Sequence, residues 1–544
     1  MKKILYITAA FALLCSCVED KGSTGGKDVN WVDVRLPAEI AAKVEPQTIT
    51  IAPELSQTLA GIDRNNLEFE WLRSYTNFNV ATLRDTEVIG NSETLEIEIT
   101  GTETHFNQYI RLNVTDRETG MTYAANVLLR LIRPYSGAWM VLHEAADGTA
   151  RLAAIEYLDV PVVTPDAYYK ETGTQFTGAP VSLLSVQGFS YNAFGTGSNH
   201  KIFGLVTDNP DESGILVQWD RFRQEQSLRQ LIAPSATPTF DLASFSPAVG
   251  SGVDWGFTII SGGQLYNCPI GMKIYKAHMG SVGSVDIKYS SKFGFVTLVY
   301  DALEHRFLAY LNQANAGFNH AVFNDSADNP TSATLQAIGS QVGNATGADP
   351  NALPAAQQVL WLGTGFKHAT HLPNFVYGLA VAKAGSTCAV YEFNSRAFAV
   401  GGLPRFTEYT ELPAPPGLDE NSRFASSDVF NGIIFYTSGS TVYRWDYKAA
   451  GGPATPIYSN ENGGVAVRMT FARNATDTRA ALAVPEYEFD PNFSLAVGFN
   501  LPDGTGEVAV INLSASGRPG DNSERFSAVQ THSGLGPITD LVFI

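Results

Sequence analysis

Ile433-Ile434-Phe435-Tyr436-Thr437-Ser438-Gly439-Ser440-Thr441-Val442-Tyr443-Arg444-Trp445-Asp446-Tyr447 reads as two strands folded back on Ser438-Gly439-Ser440. Both arms are rich in β-branched and aromatic residues, and the turn is small, polar and centred on glycine, which is the composition of a hairpin. Similar units turn at Asp147-Gly148 within Trp139 to Tyr157, at Asn209-Pro210-Asp211 within Phe203 to Trp219, and at Asp503-Gly504-Thr505-Gly506 within Leu495 to Leu513. Counting all of them, hairpins begin near Trp139, Ile202, Trp255, Phe295, Val376, Ile434 and Leu495, a repeat of about 59 residues. That period is close to the period of long-bladed propellers, so residues 135–544 are expected to form a seven-bladed β-propeller.

A propeller must hide its free edges. The last strand, Ile538-Thr539-Asp540-Leu541-Val542-Phe543-Ile544, has no hairpin after it and resembles Val465 to Phe471, which does precede one. Residues 538–544 are therefore expected to pair beside Trp139 to Leu142 and close the ring. Two stretches interrupt the rhythm, Val160 to Ala179 and Gln313 to Gln358, and the second is expected to carry a short helix around Thr331 to Val342.

Upstream, residues 31–134 hold short alternating segments: Trp31 to Leu36, Thr48 to Ala52, Leu67 to Arg73, Thr94 to Thr100, Tyr109 to Asp116 and Thr122 to Leu131. Polar turns such as Asp63-Arg64-Asn65-Asn66 separate them, which points to an antiparallel, immunoglobulin-like sandwich. Leu67, Phe69 and Trp71 share one face, with Trp71 expected to plug the core.

The amino terminus has a different character. Lys2-Lys3, the apolar run Ile4 to Leu14 and the small-residue site before Cys17 have the order of a secretory signal. Eleven apolar-leaning residues are too few to cross a bilayer, which needs about 20. Leu14-Cys15-Ser16-Cys17 looks like a bacterial lipobox, in which residues 1–16 are removed and Cys17 becomes the lipid attachment site. Several acyl chains on one residue hold a protein to a membrane more firmly than one. Residues 17–30 are polar and glycine-rich, and read as a flexible tether.

The formal charge is −18 over 544 residues, and loss of Lys2 and Lys3 makes the mature chain more acidic still. Such a surface repels phosphate backbones, so nucleic acid is excluded as a partner. Of the four cysteines, only Cys268 and Cys388 remain in the folded part, and they are expected to be unpaired core residues.

No metalloprotease, phosphate-loop, nucleophile-elbow, calcium-loop or dinucleotide motif is present. His368 and His371 lack an acidic companion, Asp325 and Asp328 read as turn formers, and Glu304-His305-Arg306 falls where a hairpin turn is expected. No catalytic residue, metal or cofactor is assigned. Loop aromatics remain as candidate ligand contacts, because exposed rings stack on sugar faces or pack on peptide side chains. They are Tyr168, Tyr169, Phe318, Phe323 and Phe366, with His320 beside Phe318.

Taken together, Cys17-Val18-Glu19-Asp20-Lys21-Gly22, the Phe69-Glu70-Trp71 strand, Tyr109 to Gly120, and Gly137-Ala138-Trp139 through Glu144 resemble the PKD-like family lipoproteins of Bacteroidetes. Ala138 departs from the family's direct step from glycine to tryptophan. The resemblance implies an outer-membrane lipoprotein facing the cell exterior, associated with a SusC/SusD-like TonB-dependent importer, with peptide or glycan as cargo. The resulting expectation is a non-catalytic binding component of nutrient uptake. Alternatives are a propeller hydrolase or lyase acting on an extracellular polymer, and an adhesion or scaffolding lipoprotein.

Overall fold

A computed structural model of the protein describes residues 30–544 other than 59–63, 79–85, 104, 133, 136, 158–160, 186–201, 218–220, 235, 248–256, 269–272, 278, 280, 294–295, 312–334, 339–346, 368–375, 395–404, 428, 473–492 and 521–526. The chain divides into two compact units, one ending at Pro134 and the other running from Tyr135 to Ile544. Both are built of strands.

In the first unit a five-stranded sheet has the order Glu39–Lys43, Thr122–Ile132, Asn107–Asp116, Leu67–Ser74, Thr86–Gly90. Its Glu39–Lys43 edge runs parallel to its neighbour. Two ribbons accompany it: Val32–Arg35 with Glu54–Gln57, and Gln47–Ile51 with Leu95–Ile99. Residues from the ribbons and the sheet meet in one core, where Ile51, Leu95, Ile110, Leu112 and Val114 surround Trp71. The Trp71 indole is fully buried, and its N–H donates to the Ser92 carbonyl at 2.8 Å. A buried indole without that acceptor would carry an unsatisfied donor.

Among its described residues the second unit holds seven four-stranded antiparallel sheets. Six are meanders whose strand order follows the chain, beginning at Pro180, Ser246, Ile287, Gln358, Phe424 and Val465. The other combines Ala138–Glu144, Ala150–Tyr157 and Pro161–Thr164 with the C-terminal strand Ile538–Phe543. Trp139 lies opposite Phe543 in that pairing, and beyond it the Gly137 N–H donates to the Ile544 carbonyl at 2.7 Å.

The central strands explain why the chain folds this way. In Ile433–Ser438 alternate residues point to opposite faces, yet both faces are apolar and buried. Ile434 and Tyr436 pack with Val381 and Val390 of the preceding sheet, while Ile433 and Phe435 pack with Met469 and Val497 of the following one. Similar clusters join each sheet to the next, and the last of them sets Val508 and Val510 against Trp139 and Val141. The cores therefore run in a closed cycle, and the unit is propeller-like.

Within the region expected to be helical, Leu335–Ala337 is a strand paired with Leu308 to Tyr310. Its apolar residues complete a sheet whose inner three strands are already buried, and tertiary pairing overrides the local preference. Val160 to Ala179 contains the outer strand Pro161–Thr164 and a helix, Ala167–Thr172, capped by the Asp166 carboxylate on the Tyr169 N–H. Cys268 and Cys388 are both buried and are not joined in a disulfide, and burial pushes each thiol up to about 12.

Candidate functional site

The first strand of each meander and the C-terminal strand converge on a cavity of about 300 Å³. Its wall takes Leu183 and Leu184 from the second sheet, Pro247 from the third, Tyr289 and Ser290 from the fourth, Trp361 and Leu362 from the fifth, Phe424 and Ala425 from the sixth, Met469 and Phe471 from the seventh, and Phe543 from the closing strand. Every sheet contributes, so the cavity is axial. Lying between seven edges, it also meets backbone groups that no further strand satisfies.

Along the chain, charged lining residues come just before other lining residues. Lys288 comes before Ser290, Glu420 and Arg423 before Phe424, and Arg468 before Met469. Two of these charges are matched locally: Lys288 pairs with Asp286 at 3.0 Å and Arg468 with Asp540 at 2.9 Å. Asp540 is a junction in its own right. One carboxylate oxygen accepts from the Ser182 hydroxyl and the Leu183 N–H, both at 2.9 Å, so the closing strand is bound to the sheets on either side of it.

Arg423 is placed differently. Its Nε donates to the Val467 carbonyl at 2.9 Å and its Nη1 to the Asn421 carbonyl at 3.0 Å, while its backbone exchanges hydrogen bonds with Thr437. Neutral carbonyls orient the guanidinium without cancelling its charge, and its remaining donors face no carboxylate among the described residues. Among the described residues Glu420 accepts only a long hydrogen bond, 3.5 Å, from Gln358. Tyr289 senses both: burial raises its phenol pKa, the Arg423 charge pulls it down and the Glu420 charge pushes it up.

Beside these groups the wall is apolar. The Trp361 and Phe424 rings stack with centroids 5.7 Å apart and planes within 18°. Trp361 lies directly on Gly363, where an added Cβ would come within 2.0 Å of the indole. Ser290, buried on the same cavity wall as Tyr289, has a hydroxyl with no hydrogen-bond partner among the described residues.

The loop residues singled out from sequence lie elsewhere or outside the described residues. Tyr168 is half-buried, stacks on Phe176 at 4.1 Å and packs in the core between the first two sheets. Tyr169 is exposed on the same short helix. Neither lines the cavity. Phe366 falls within the strand Gln358–Lys367, and its side chain is outside the described residues, as are Cys17, Phe318, His320, Phe323, Asp325, Asp328, His368 and His371. His305 occupies the tight turn before Arg306, with a positive φ of 48°, and its ring lies 3.3 Å from the Tyr300 hydroxyl. The cavity residues Tyr289, Ser290, Trp361, Glu420 and Arg423 were not singled out, because each sits in an ordinary strand or polar turn and their convergence is visible only in three dimensions.

Residues 17–180 match the PKD-like family. The match spans the first unit and the opening strands of the second. No curated protein matches the chain. Among solved structures it is similar to a quinonprotein alcohol dehydrogenase-like protein from Bacteroides thetaiotaomicron, at 10% identity over 93% of each chain and a TM-score of 0.38. It is also similar to the WD40 domain of SCAP from fission yeast, at 9% identity over 66% of this chain and 74% of that one, TM-score 0.31. A third likeness is to a prolyl endopeptidase, at 13% identity over 65% of this chain and 43% of that one, TM-score 0.32.

Proposed function

We propose that the protein is a lipid-anchored binding component of an outer-membrane nutrient-uptake system, not a catalyst, and that the axial cavity holds its ligand. In this reading Cys17 carries the lipid and residues 17–30 are a tether. The unit ending at Pro134 is an immunoglobulin-like, PKD-like spacer, and residues 135–544 are a seven-bladed β-propeller that offers cargo to a SusC/SusD-like importer on the cell exterior. The observation that carries the reading is the cavity with the oriented, uncompensated Arg423 on its wall. Enclosure by apolar side chains with a few fixed polar groups is how small-ligand sites are generally built.

Three experiments test it. Mass analysis of the native amino terminus should find acyl chains on Cys17, and co-purification from outer membranes should bring down a TonB-dependent importer. A screen against peptide and glycan pools should find binding without turnover. Hydrolysis of either pool, or an unmodified amino terminus, would defeat the proposal.

A further inference from the structure

We infer that the axial cavity is a receptor for short zwitterionic ligands, free α-amino acids or dipeptides, with Arg423 taking the carboxylate and Glu420 the ammonium group. The inference rests on the reading of the cavity as the binding site and adds the chemical class of its occupant.

Charge balance on the wall leads to it. Lys288 and Arg468 are each neutralised by an aspartate, at 3.0 and 2.9 Å. What remains is one cation and one anion, Arg423 and Glu420. They come from the same turn and both bear electrostatically on Tyr289, yet they form no ion pair with each other. Arg423 cannot swing freely toward Glu420, because the Val467 and Asn421 carbonyls hold its guanidinium. A purely anionic ligand would gain from Arg423 and be opposed by Glu420, and a cation would meet the reverse. A ligand carrying both charges a few bonds apart satisfies both at once.

Two further features fit the same class. Ser290, only 5% exposed, lines the cavity, and its hydroxyl, buried and without a partner among the described residues, would gain a ligand amide or carboxylate as partner once the wall shifts to admit one. Trp361, Leu362, Phe424 and Phe471 offer an apolar wall for a side chain. At about 300 Å³ the cavity lies at the small end of ligand pockets, which suits one or two residues rather than an oligosaccharide.

The test is calorimetric titration of the purified full-length lipoprotein in detergent with L-leucyl-L-phenylalanine, its N-acetyl derivative and its C-terminal amide. The free dipeptide is expected to bind, and each blocked form to bind at least about tenfold more weakly, as loss of a charge-assisted contact implies. In Arg423→Gln the free and amidated peptides should bind alike, and in Glu420→Gln the free and acetylated peptides should bind alike. Because the blocked peptides are tested on the wild-type protein, the result stands even if a variant folds poorly. Equal binding of the acetylated dipeptide, or of the amide, by the wild-type protein would overturn the assignment. Binding of maltohexaose but not of the dipeptide would overturn it while leaving the receptor reading intact. Failure of both peptide and glycan panels would overturn both.

Discussion

Asp540 ties the closing strand to the sheets on both sides of it. It accepts hydrogen bonds from Ser182 and Leu183 on one side and pairs with Arg468 on the other, while being 5% exposed. In Asp540→Ala a partly buried guanidinium loses its counter-charge, and three donors, the Ser182 hydroxyl and the Leu183 and Leu541 N–H groups, lose their acceptor. Removing one partner of a buried pair costs about 3 kcal/mol or more, so a marked fall in the melting temperature of the larger unit is expected by calorimetry. His532 makes a different prediction. Its ring is buried, and desolvation pulls its pKa down to about 4. The ordinary imidazole titrates near 6.5, so the folded state binds the proton less readily than the unfolded one. The corresponding stability is present above about 6.5 and is lost as the pH falls toward 4, to the extent of roughly 3 kcal/mol. Urea unfolding of His532→Gln across that window should show a shallower pH dependence than the wild-type protein, and parallel curves would refute the assignment.

Elements differ sharply in how much of themselves they reveal in sequence. The hairpins read from Trp139, Ile202, Val376, Ile434 and Leu495 correspond to second and third strands, which start at Ala138, Ile202, Val376, Ile433 and Ser494. These strands are buried on both faces, so their apolar runs stand out. The first strand Val465–Phe471 stands out too, but the shortest first strands do not. Ser246–Pro247 and Phe424–Ala425 have two residues each, and Glu420 and Arg423 lie in a polar turn that any reading assigns to solvent. In the first unit Glu39–Lys43, Glu54–Gln57 and Thr86–Gly90 were likewise invisible, since short edge strands with charged residues lack a clear alternation. The cavity was therefore illegible for a physical reason: its charged residues sit in a polar turn, and its wall is assembled from edges of separate sheets that meet only in three dimensions. Gly363 gives an element-scale test. Gly363→Ala would drive a methyl into the Trp361 indole and break its stack on Phe424. Overpacking of this kind costs about 1–3 kcal/mol. In a Trp361→Ala background the same substitution should be nearly neutral, and a double-mutant cycle by thermal melting that shows simple additivity would count against the contact.

At the scale of the molecule, the larger unit depends on a strand that arrives last. Without residues 538–544, Ala138–Glu144 loses the partner that covers it, and the apolar faces of Trp139 and Val141 lose Leu541 and Phe543. Calorimetry of that truncated chain should show the transition of the Tyr135–Ile544 unit abolished or moved far down in temperature, with the transition of the unit ending at Pro134 kept as an internal control. An unchanged thermogram would mean that the pairing contributes nothing to stability. The repeat was legible over this whole unit because one pattern recurs seven times, whereas the occupant of its centre depends on which side chains those repeats happen to bring together.

The hydrogen bond from Gly137 to Ile544 has a topological consequence. The chain enters and leaves the larger unit at neighbouring points, so its order of sheets is a circle that synthesis happens to cut once. Joining Ile544 to Tyr135 through a short glycine linker and opening the exposed turn at Asp503-Gly504 would yield a circular permutant with every strand pairing preserved. Its new termini would lie in the seventh sheet instead of the first, which makes the position of the cut, and hence of any fused anchor or reporter, a free choice.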